Sequence, residues 1–243
     1  MKRAYEDERD IVDHAADIED ADVCFYPAES DLAHRFLASL RDSAFVPRER
    51  PDFEDTVAML LLEAMVVDDH PRPGRKDWTR IRESEVIREL EASGLDVHPD
   101  AQVIAAVSSG FPTDQDHSYR AYADHFTRTV LKHARNSEVY RAERPGYELG
   151  FIVFDESTAY IEGTGEGEAV VTGRPHAWFA DVAFVDAIQQ SGADCFVWVT
   201  PYKRLGTDAG VMPLPGMTIL DVALLRKAER FVYDAGRMVS SER

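Results

Sequence analysis

The chain has 243 residues, enough for one large hydrophobic core or two modest ones, and 44% of them are hydrophobic, as in ordinary globular proteins. Its 45 acidic and 27 basic residues leave a formal net charge of −18. Such a surface repels a nucleic-acid backbone, which excludes a protein that coats DNA without sequence specificity. No apolar run reaches the length of a membrane span, so we expect no membrane partner.

The terminus and the cysteines indicate a cytoplasmic protein. The N-terminal stretch MKRAYEDERD has no apolar run and no cleavage site, and Cys24 and Cys195 lie far apart without a partner pattern. A reducing compartment is the simpler interpretation, although one long-range disulfide is also compatible with these two residues. The acidity itself fits either genome composition or a salt-rich cytoplasm, or else a surface directed at a basic partner.

The predicted elements begin with an acidic N-terminus over residues 1–22, which is expected to be poorly ordered. Apolar residues at helical spacing then predict helices over 31–43, from Pro51 to about residue 67, and over roughly 80–93. The later segments are, in chain order, a strand at 102–110, a helix at 114–140, a strand at 148–157, a hairpin of 158–162 with 168–173, a helix at 176–192, a strand at 195–200 and a helix at 216–236.

This order of elements predicts an α/β fold. The sheet is expected to be mostly parallel or mixed and flanked by helices, with a helical N-terminal part. We expect one domain over residues 23–243, with its helical part at about 23–98 and its sheet-containing part at about 99–243. The chain shows no internal repeat and no low-complexity linker that would divide it.

Polar side chains follow the predicted strands. Asp116 and His117 come after the first strand, Asp155 and Glu156 end the second, and Lys203 follows the third. Ligands of α/β sheets bind beyond the carboxyl ends of the strands. If the strands are parallel neighbours, these acids, the histidine and the lysine converge at one edge.

The apolar strand that ends in Asp155 and Glu156 resembles the Walker B element of nucleotide triphosphatases, in which the acids hold and activate water around Mg²⁺. The resemblance covers eight residues. Its companion motif G-x-x-x-x-G-K-[ST] is absent from the chain, which excludes a P-loop ATPase.

Carboxylates together with Lys203 are similar to the sites of restriction nucleases, where acids bind Mg²⁺ and a lysine stabilises the attacking hydroxide. That pattern places an acid two residues before the lysine, whereas the stretch VTPYK carries none. The acid would have to come from elsewhere, and Glu63 and Glu156 are the candidates.

A second concentration of candidate ligands lies in VVDDHPRPGR. Asp68, Asp69 and His70 can bind a divalent metal, and Arg72 and Arg75 can bind phosphate. The alternative is that the two aspartates merely follow an element into a solvated loop.

Structural explanations also stay open for the other acids. Asp116 fits the first turn of a helix, where acids are favoured, and Asp155 fits a salt bridge with Lys203. No G-x-S-x-G, C-x-x-C or H-E-x-x-H pattern occurs, so serine-hydrolase, zinc-ribbon and zincin sites lack sequence support.

The leading hypothesis is a phosphoester hydrolase that depends on Mg²⁺ or Mn²⁺, with a nuclease-like activity as one form of it. In this hypothesis the site residues divide into metal ligands, which are Asp155, Glu156, Asp68, Asp69, His70 and Asp116, and catalytic groups, which are Lys203, His117 and Glu63. The alternative from another class is a non-catalytic acidic protein that binds a basic partner or mimics nucleic acid. The sequence predicts no oligomeric state.

Overall fold

A computed structural model of the protein describes residues 8–70, 117–164, 173–207 and 210–241. These residues form a mixed sheet of seven strands with helices on both faces, together with a three-stranded and a two-stranded sheet. The predicted α/β class is therefore confirmed. Within the described residues, no helix is both long and apolar enough to cross a membrane.

The strands are β1 (Val23–Tyr26), β2 (Val46–Pro47), β3 (Phe53–Asp55), β4 (Leu60–Val67), β5 (Glu148–Asp155), β6 (Tyr160–Gly163), β7 (Gly173–Pro175), β8 (Cys195–Val199), β9 (Arg204–Thr207), β10 (Gly210–Pro213), β11 (Met217–Asp221) and β12 (Met238–Ser240). The helices are α1 (Glu8–Asp17), α2 (Asp31–Arg41), α3 (Tyr119–Ala134), α4 (Ser137–Glu143), α5 (Val182–Gln190) and α6 (Val222–Leu225). Short 3₁₀ helices occupy Asp20–Asp22 and Trp178–Ala180.

The large sheet has the strand order β1-β11-β8-β5-β4-β3-β2. Its centre is the parallel trio β8, β5 and β4, and antiparallel pairings join this trio to β11 on one side and to β3 on the other. The three central strands are nearly continuous apolar runs because both of their faces are buried. Side chains alternate between a core under α1 and α2 and a larger core under α3 and α5.

The predicted helix from Pro51 to about residue 67 is wrong. This segment forms β3 and β4 as an antiparallel pair, with residues 56–59 as the turn between them. The apolar residues at 57, 60, 61 and 64 fit a helical period, but the whole run LLLEAMVV is apolar except for its glutamate. A short continuous apolar run of this kind belongs to a strand that is buried on both faces.

Two predictions for the later helices need correction. The final helix at 216–236 is wrong, because Met217–Asp221 is the sheet strand β11 and only Val222–Leu225 is helical. The described part of the helix predicted over 114–140 consists of the separate helices α3 and α4, with Arg135 and Asn136 between them.

The first arm of the predicted hairpin overlaps β6, which pairs antiparallel with β7 at Gly173–Pro175. Residues 168–172 of the predicted second arm lie outside the described residues. Within the acidic N-terminus, residues 8–17 form α1, which buries Ile11, Val12 and Ala15. The helical N-terminal part is thus confined, in the residues that the structure describes, to α1, α2 and one 3₁₀ turn. The predicted helix at 80–93 and strand at 102–110 lie outside the described residues. Cys24 and Cys195 are both free thiols.

Candidate metal centre

The carboxyl ends of β4, β5 and β8 lie at one edge of the sheet because the three strands are parallel neighbours. Asp155 ends β5 directly opposite Val67, the last residue of β4, and Lys203 follows β8. Asp155 and Lys203 therefore meet at this edge as predicted, but the strand beside β5 is β4, which the sequence had predicted to be a helix. Asp68, Asp69 and His70 consequently lie at the same edge as Asp155.

Asp155 is fully buried and engaged on both oxygens. Its Oδ2 accepts hydrogen bonds from the Tyr122 hydroxyl and from Trp198 Nε1 at 2.9 Å, and Lys203 Nζ lies 3.3 Å away. Its Oδ1 accepts from the backbone N–H of Ser157 at 2.9 Å. The carboxylate is thus satisfied by protein groups, which agrees with the salt-bridge alternative considered for the sequence.

Lys203 is only 3% exposed and is surrounded by acceptors. Its Nζ donates to the Ser157 hydroxyl and to the Thr158 carbonyl at 3.0 Å, in addition to its ion pair with Asp155. Burial lowers the pKa of this ammonium, and Asp155 acts in the opposite direction. An ammonium group has three protons to donate, and three oxygens occupy them. This geometry describes a structural ion pair better than a catalytic lysine.

Asp69 lies fully buried behind β6. Its Oδ2 accepts from the Tyr160 hydroxyl at 2.6 Å and from the N–H and the hydroxyl of Thr158, both at 3.2 Å. Its Oδ1 lies 2.9 Å from Nδ1 of His117. Burial alone would raise the pKa of Asp69, but the bonds to His117 and Tyr160 outweigh it and hold that pKa below its usual value. Asp69 is therefore a carboxylate that the fold keeps ionised.

Asp69, His70 and His117 are the one group of described residues placed closely enough to hold a metal ion, and we call them the metal cluster. One potential ligand atom from each lies within 4.8 Å of the other two. The two imidazole rings are 5.1 Å apart between centroids, and both histidines are partly exposed, whereas Asp69 is fully buried. His117 directly precedes Ser118, which caps α3 by accepting a hydrogen bond from Ala121 N–H.

A third buried carboxylate, Asp181, lies in the same aromatic surrounding, because its partners Tyr119 and His176 both contact the ring of Tyr160. It accepts hydrogen bonds from the Tyr119 hydroxyl at 2.5 Å, and its Oδ2 is 2.7 Å from Nε2 of His176. Its Oδ1 caps helix α5 through Ala183 N–H. Burial lowers the pKa of His176, with Asp181 acting against this shift. The edge of the sheet thus encloses three tyrosine–aspartate pairs in one aromatic surrounding.

The charges of this region do not balance within the described residues. Asp69, Asp155 and Asp181 are 0%, 0% and 1% exposed. In the part of the chain that the structure describes, Lys203 is the one lysine or arginine that forms an ion pair with any of the three. Buried carboxylates are costly unless opposite charge or hydrogen bonds compensate them. Hydrogen bonds already offset part of this cost at all three carboxylates, and a further cation at this edge would lower the remainder.

The remaining predicted site residues are not brought into the cluster. Glu63 lies on β4, not on a helix, and bonds to His133 Nδ1 at 2.6 Å towards the far end of α3. Asp68 faces away from Asp69 and lies 3.1 Å from His125 Nδ1. The side chain of Glu156 is exposed just after β5 ends, whereas its neighbour Asp155 is buried. Asp116 lies outside the described residues.

The sequence analysis missed the groups that hold the aspartates, which are Tyr119, Tyr122, Tyr160, Thr158, Trp198 and His176. A usable signal was present on α3, where Tyr119, Tyr122, Phe126 and Val130 recur at helical spacing and form its buried face. A tyrosine on a buried face requires a partner for its hydroxyl. Such residues therefore indicate buried acceptors elsewhere in the fold.

Comparison of the chain with models of protein families, with curated proteins and with solved structures found no match. What the site can do thus follows from its own geometry and chemistry.

Proposed function

We propose that this protein is a divalent-metal-dependent phosphoester hydrolase with its metal at the cluster of Asp69, His70 and His117. The observation that carries the proposal is the convergence of one carboxylate and two imidazoles within 4.8 Å, at the carboxyl edge of the parallel strands. Ligand sites of α/β sheets occur at this edge.

The donor set supports a particular class of metal ion. Imidazole nitrogen favours ions such as Mn²⁺ and Zn²⁺ over Mg²⁺, which prefers oxygen ligands and retains its water. Two histidines beside a carboxylate that binds the ion or orients one of its ligands also resemble catalytic zinc sites, which keep a position for substrate. Of the ions expected from the sequence, Mn²⁺ is therefore favoured over Mg²⁺, and Zn²⁺ joins it as a candidate.

Electrostatics support the same proposal. Three buried carboxylates stand against one buried lysine among the described residues, so a bound divalent ion would offset the excess negative charge. Such an ion would also neutralise charge that develops on a phosphoryl oxygen during hydrolysis. The chain's own residues hold the ion in place and shield one side of it, while the partly exposed face of His70 and His117 admits the substrate.

The substrate class is supported by sequence and charge. Arg72 and Arg75 follow His70 closely along the chain, and guanidinium groups bind phosphate oxygens in a bidentate manner. A net charge of −18 opposes long nucleic acids at ordinary salt. We therefore propose a small phosphoester, such as a nucleotide or another phosphorylated metabolite, in preference to polymeric DNA or RNA.

The test combines metal binding with hydrolysis. Calorimetric titration with Mn²⁺ and Zn²⁺ should give one site in the parent, and His117→Ala should lose it. His34→Ala is the matched control, because His34 is exposed and pairs with Glu29 on α2's side of the sheet. Metal-dependent release of p-nitrophenol from mono- and bis-p-nitrophenyl phosphate should occur with the parent and with His34→Ala and be lost in His117→Ala.

Equal metal binding by the parent and His117→Ala would contradict the proposed site. A parent that binds no metal and hydrolyses neither ester would favour the alternative class, an acidic protein that acts by binding a basic partner. Metal binding without hydrolysis would support the metal centre and contradict the proposed enzymatic activity.

A further inference from the structure

Asp69 is the carboxylate of the metal cluster, and both of its oxygens already have partners. Its Oδ2 receives three hydrogen bonds, one from the Tyr160 hydroxyl and two from Thr158. A carboxylate oxygen offers about two lone-pair sites, so these donors fill Oδ2. The remaining oxygen, Oδ1, faces Nδ1 of His117 at 2.9 Å. A metal ion on Oδ1 would have to take the place of that contact.

The contact with Asp69 fixes which ring nitrogen of His117 carries the proton. Since Asp69 is held as an acceptor by the surrounding donors, the ring nitrogen that faces it must be the donor, so His117 carries its proton on Nδ1. A neutral imidazole has one protonated nitrogen, and the lone pair then lies on Nε2, on the opposite side of the ring.

Solvent exposure also favours metal binding through the imidazole of His117 over binding through Asp69. Asp69 is 0% exposed, whereas the side chain of His117 is 12% exposed and His70 is partly exposed beside it. An ion that arrives from solvent therefore meets the imidazoles before the carboxylate.

We propose that Asp69 is a positioning residue that orients His117 through Nδ1, and that the metal binds to Nε2 of His117 and to His70. This inference rests on the proposed metal site and assigns the roles within it. Histidines that bind metals commonly donate their other ring N–H to a carboxylate, which fixes the tautomer and raises the basicity of the ligand.

Tyr160 and Thr158 hold this carboxylate, and Ser240 in turn contacts Thr158. Tyr160 lies on β6, Thr158 lies in the loop between β5 and β6, and the Thr158 hydroxyl is 2.9 Å from the Ser240 hydroxyl on β12. Because β12 pairs with β6, the C-terminal strand keeps Thr158 against Asp69. The orientation of His117 is therefore set by residues far apart in sequence.

The experiment uses Co²⁺ as a spectroscopic probe of the full-length protein. If Asp69 positions His117, Asp69→Asn should still bind one Co²⁺ with a visible absorption spectrum like that of the parent, but about 10- to 100-fold more weakly. His117→Ala should lose more affinity and change the spectrum. An Asp69→Asn variant that binds no Co²⁺, or whose spectrum changes as in His117→Ala, would make Asp69 a direct ligand and overturn the proposal.

A second variant guards against misfolding of Asp69→Asn. Tyr160→Phe keeps the carboxylate and removes one of its orienting bonds, so it should bind Co²⁺ more weakly than the parent with an unchanged spectrum. An affinity equal to that of the parent would contradict the positioning role.

The tautomer can be measured without any metal. Nitrogen-15 shifts of the imidazole in the metal-free parent should show His117 protonated on Nδ1, and protonation on Nε2 would overturn the inference. A parent that binds no Co²⁺ would defeat the proposed function, while these shifts would still decide the orientation that Asp69 imposes.

Discussion

Strand β4 and the residues just after it meet helix α3 and its N-terminus through three acid–histidine pairs, of which the first and the last lie at opposite ends of the helix. Beyond the carboxyl end of the strand, Asp69 lies 2.9 Å from His117, which precedes the helix. In the middle of the strand, Glu63 lies 2.6 Å from His133, in the last turn of the same helix. Both pairs are largely buried, so an acid–histidine contact by itself does not distinguish a candidate site.

The surroundings of the two pairs differ. Asp69 has a second histidine within ligand distance and hydrogen-bond donors that keep it ionised. Glu63 instead has a second acid nearby, and burial, with a contribution from Glu63, raises the pKa of Asp52 to about 6. The N-terminal end of α3 therefore stabilises the ionised form of Asp69 and adds His70 as a second potential metal ligand. At the C-terminal end, the ionised form of Asp52 is disfavoured. Four predictions test this contrast.

The largest expected effect concerns the buried lysine of the site. Lys203→Met removes the positive partner of Asp155 and leaves that carboxylate uncompensated in the core, which should lower the free energy of unfolding by about 3–5 kcal/mol. Urea unfolding measures the change. Lys132→Met is the control, because Lys132 is an exposed residue of α3 and its loss should change stability little.

Adding Asp155→Asn to Lys203→Met should restore part of the lost stability, because the uncompensated charge is then removed. A single Lys203→Met variant as stable as the parent would mean that Asp155 is not held by this pair and is open to another cation.

The second prediction concerns the bonds that keep Asp69 ionised. Tyr160→Phe removes a 2.6 Å hydrogen bond to a buried charged group and should cost about 1.5–3 kcal/mol of unfolding free energy. Tyr202→Phe is the matched control, since Tyr202 is about half exposed and should lose little. Equal free energies of unfolding for these two variants would contradict the stabilisation of ionised Asp69 that distinguishes the two ends of α3.

The sequence predicted the fold class and part of the site for physical reasons that are local. The strand ending in Asp155 and the run at residues 195–199 are short, apolar and β-branched or aromatic, and such runs predict buried strands. Once these strands are parallel, Asp155 and Lys203 must share an edge. This juxtaposition could be predicted without knowing any distance between atoms.

The rest of the site depends on partners distant in sequence. Leu60–Val67 was predicted to be helical from the spacing of its apolar residues, whereas its pairing with β5 and the His133 partner of Glu63 come from distant parts of the chain. Asp69 likewise depends on Thr158 and Tyr160, which only the fold brings to it. Local periodicity contains no information on such pairs.

The third prediction addresses the other end of α3, where Asp52 accepts a 2.7 Å bond from Ala64 N–H. Its pKa is raised to about 6, above its value in the unfolded chain, so the folded state binds more protons and stability falls as pH rises from about 4 to 6. The titratable groups facing it are Glu63, Glu8 and His133.

Asp52→Asn keeps an acceptor for Ala64 and removes this cost. Because Asp52 is only partly buried, screening reduces the expected gain at pH 8 to about 1 kcal/mol, with a smaller gain at pH 4.5. Urea unfolding of parent and variant at both pH values measures it. Asp124→Asn, an exposed change on α3, should show no such dependence. A variant less stable than the parent at pH 8 would show that the ionised Asp52 is favourable.

The smallest expected effect separates two adjacent acids at the end of β5. Asp155 points into the core and meets Lys203, whereas the side chain of Glu156 is exposed and its backbone N–H donates to Val67 O at 2.8 Å. Glu156→Gln keeps that backbone bond, so it should change the free energy of unfolding by less than about 0.5 kcal/mol. It should also leave the Mn²⁺ affinity at the level of the parent. Loss of metal binding in this variant would place the ion at the exposed end of β5, away from Asp69, and would move the proposed centre to the acids that the sequence first indicated.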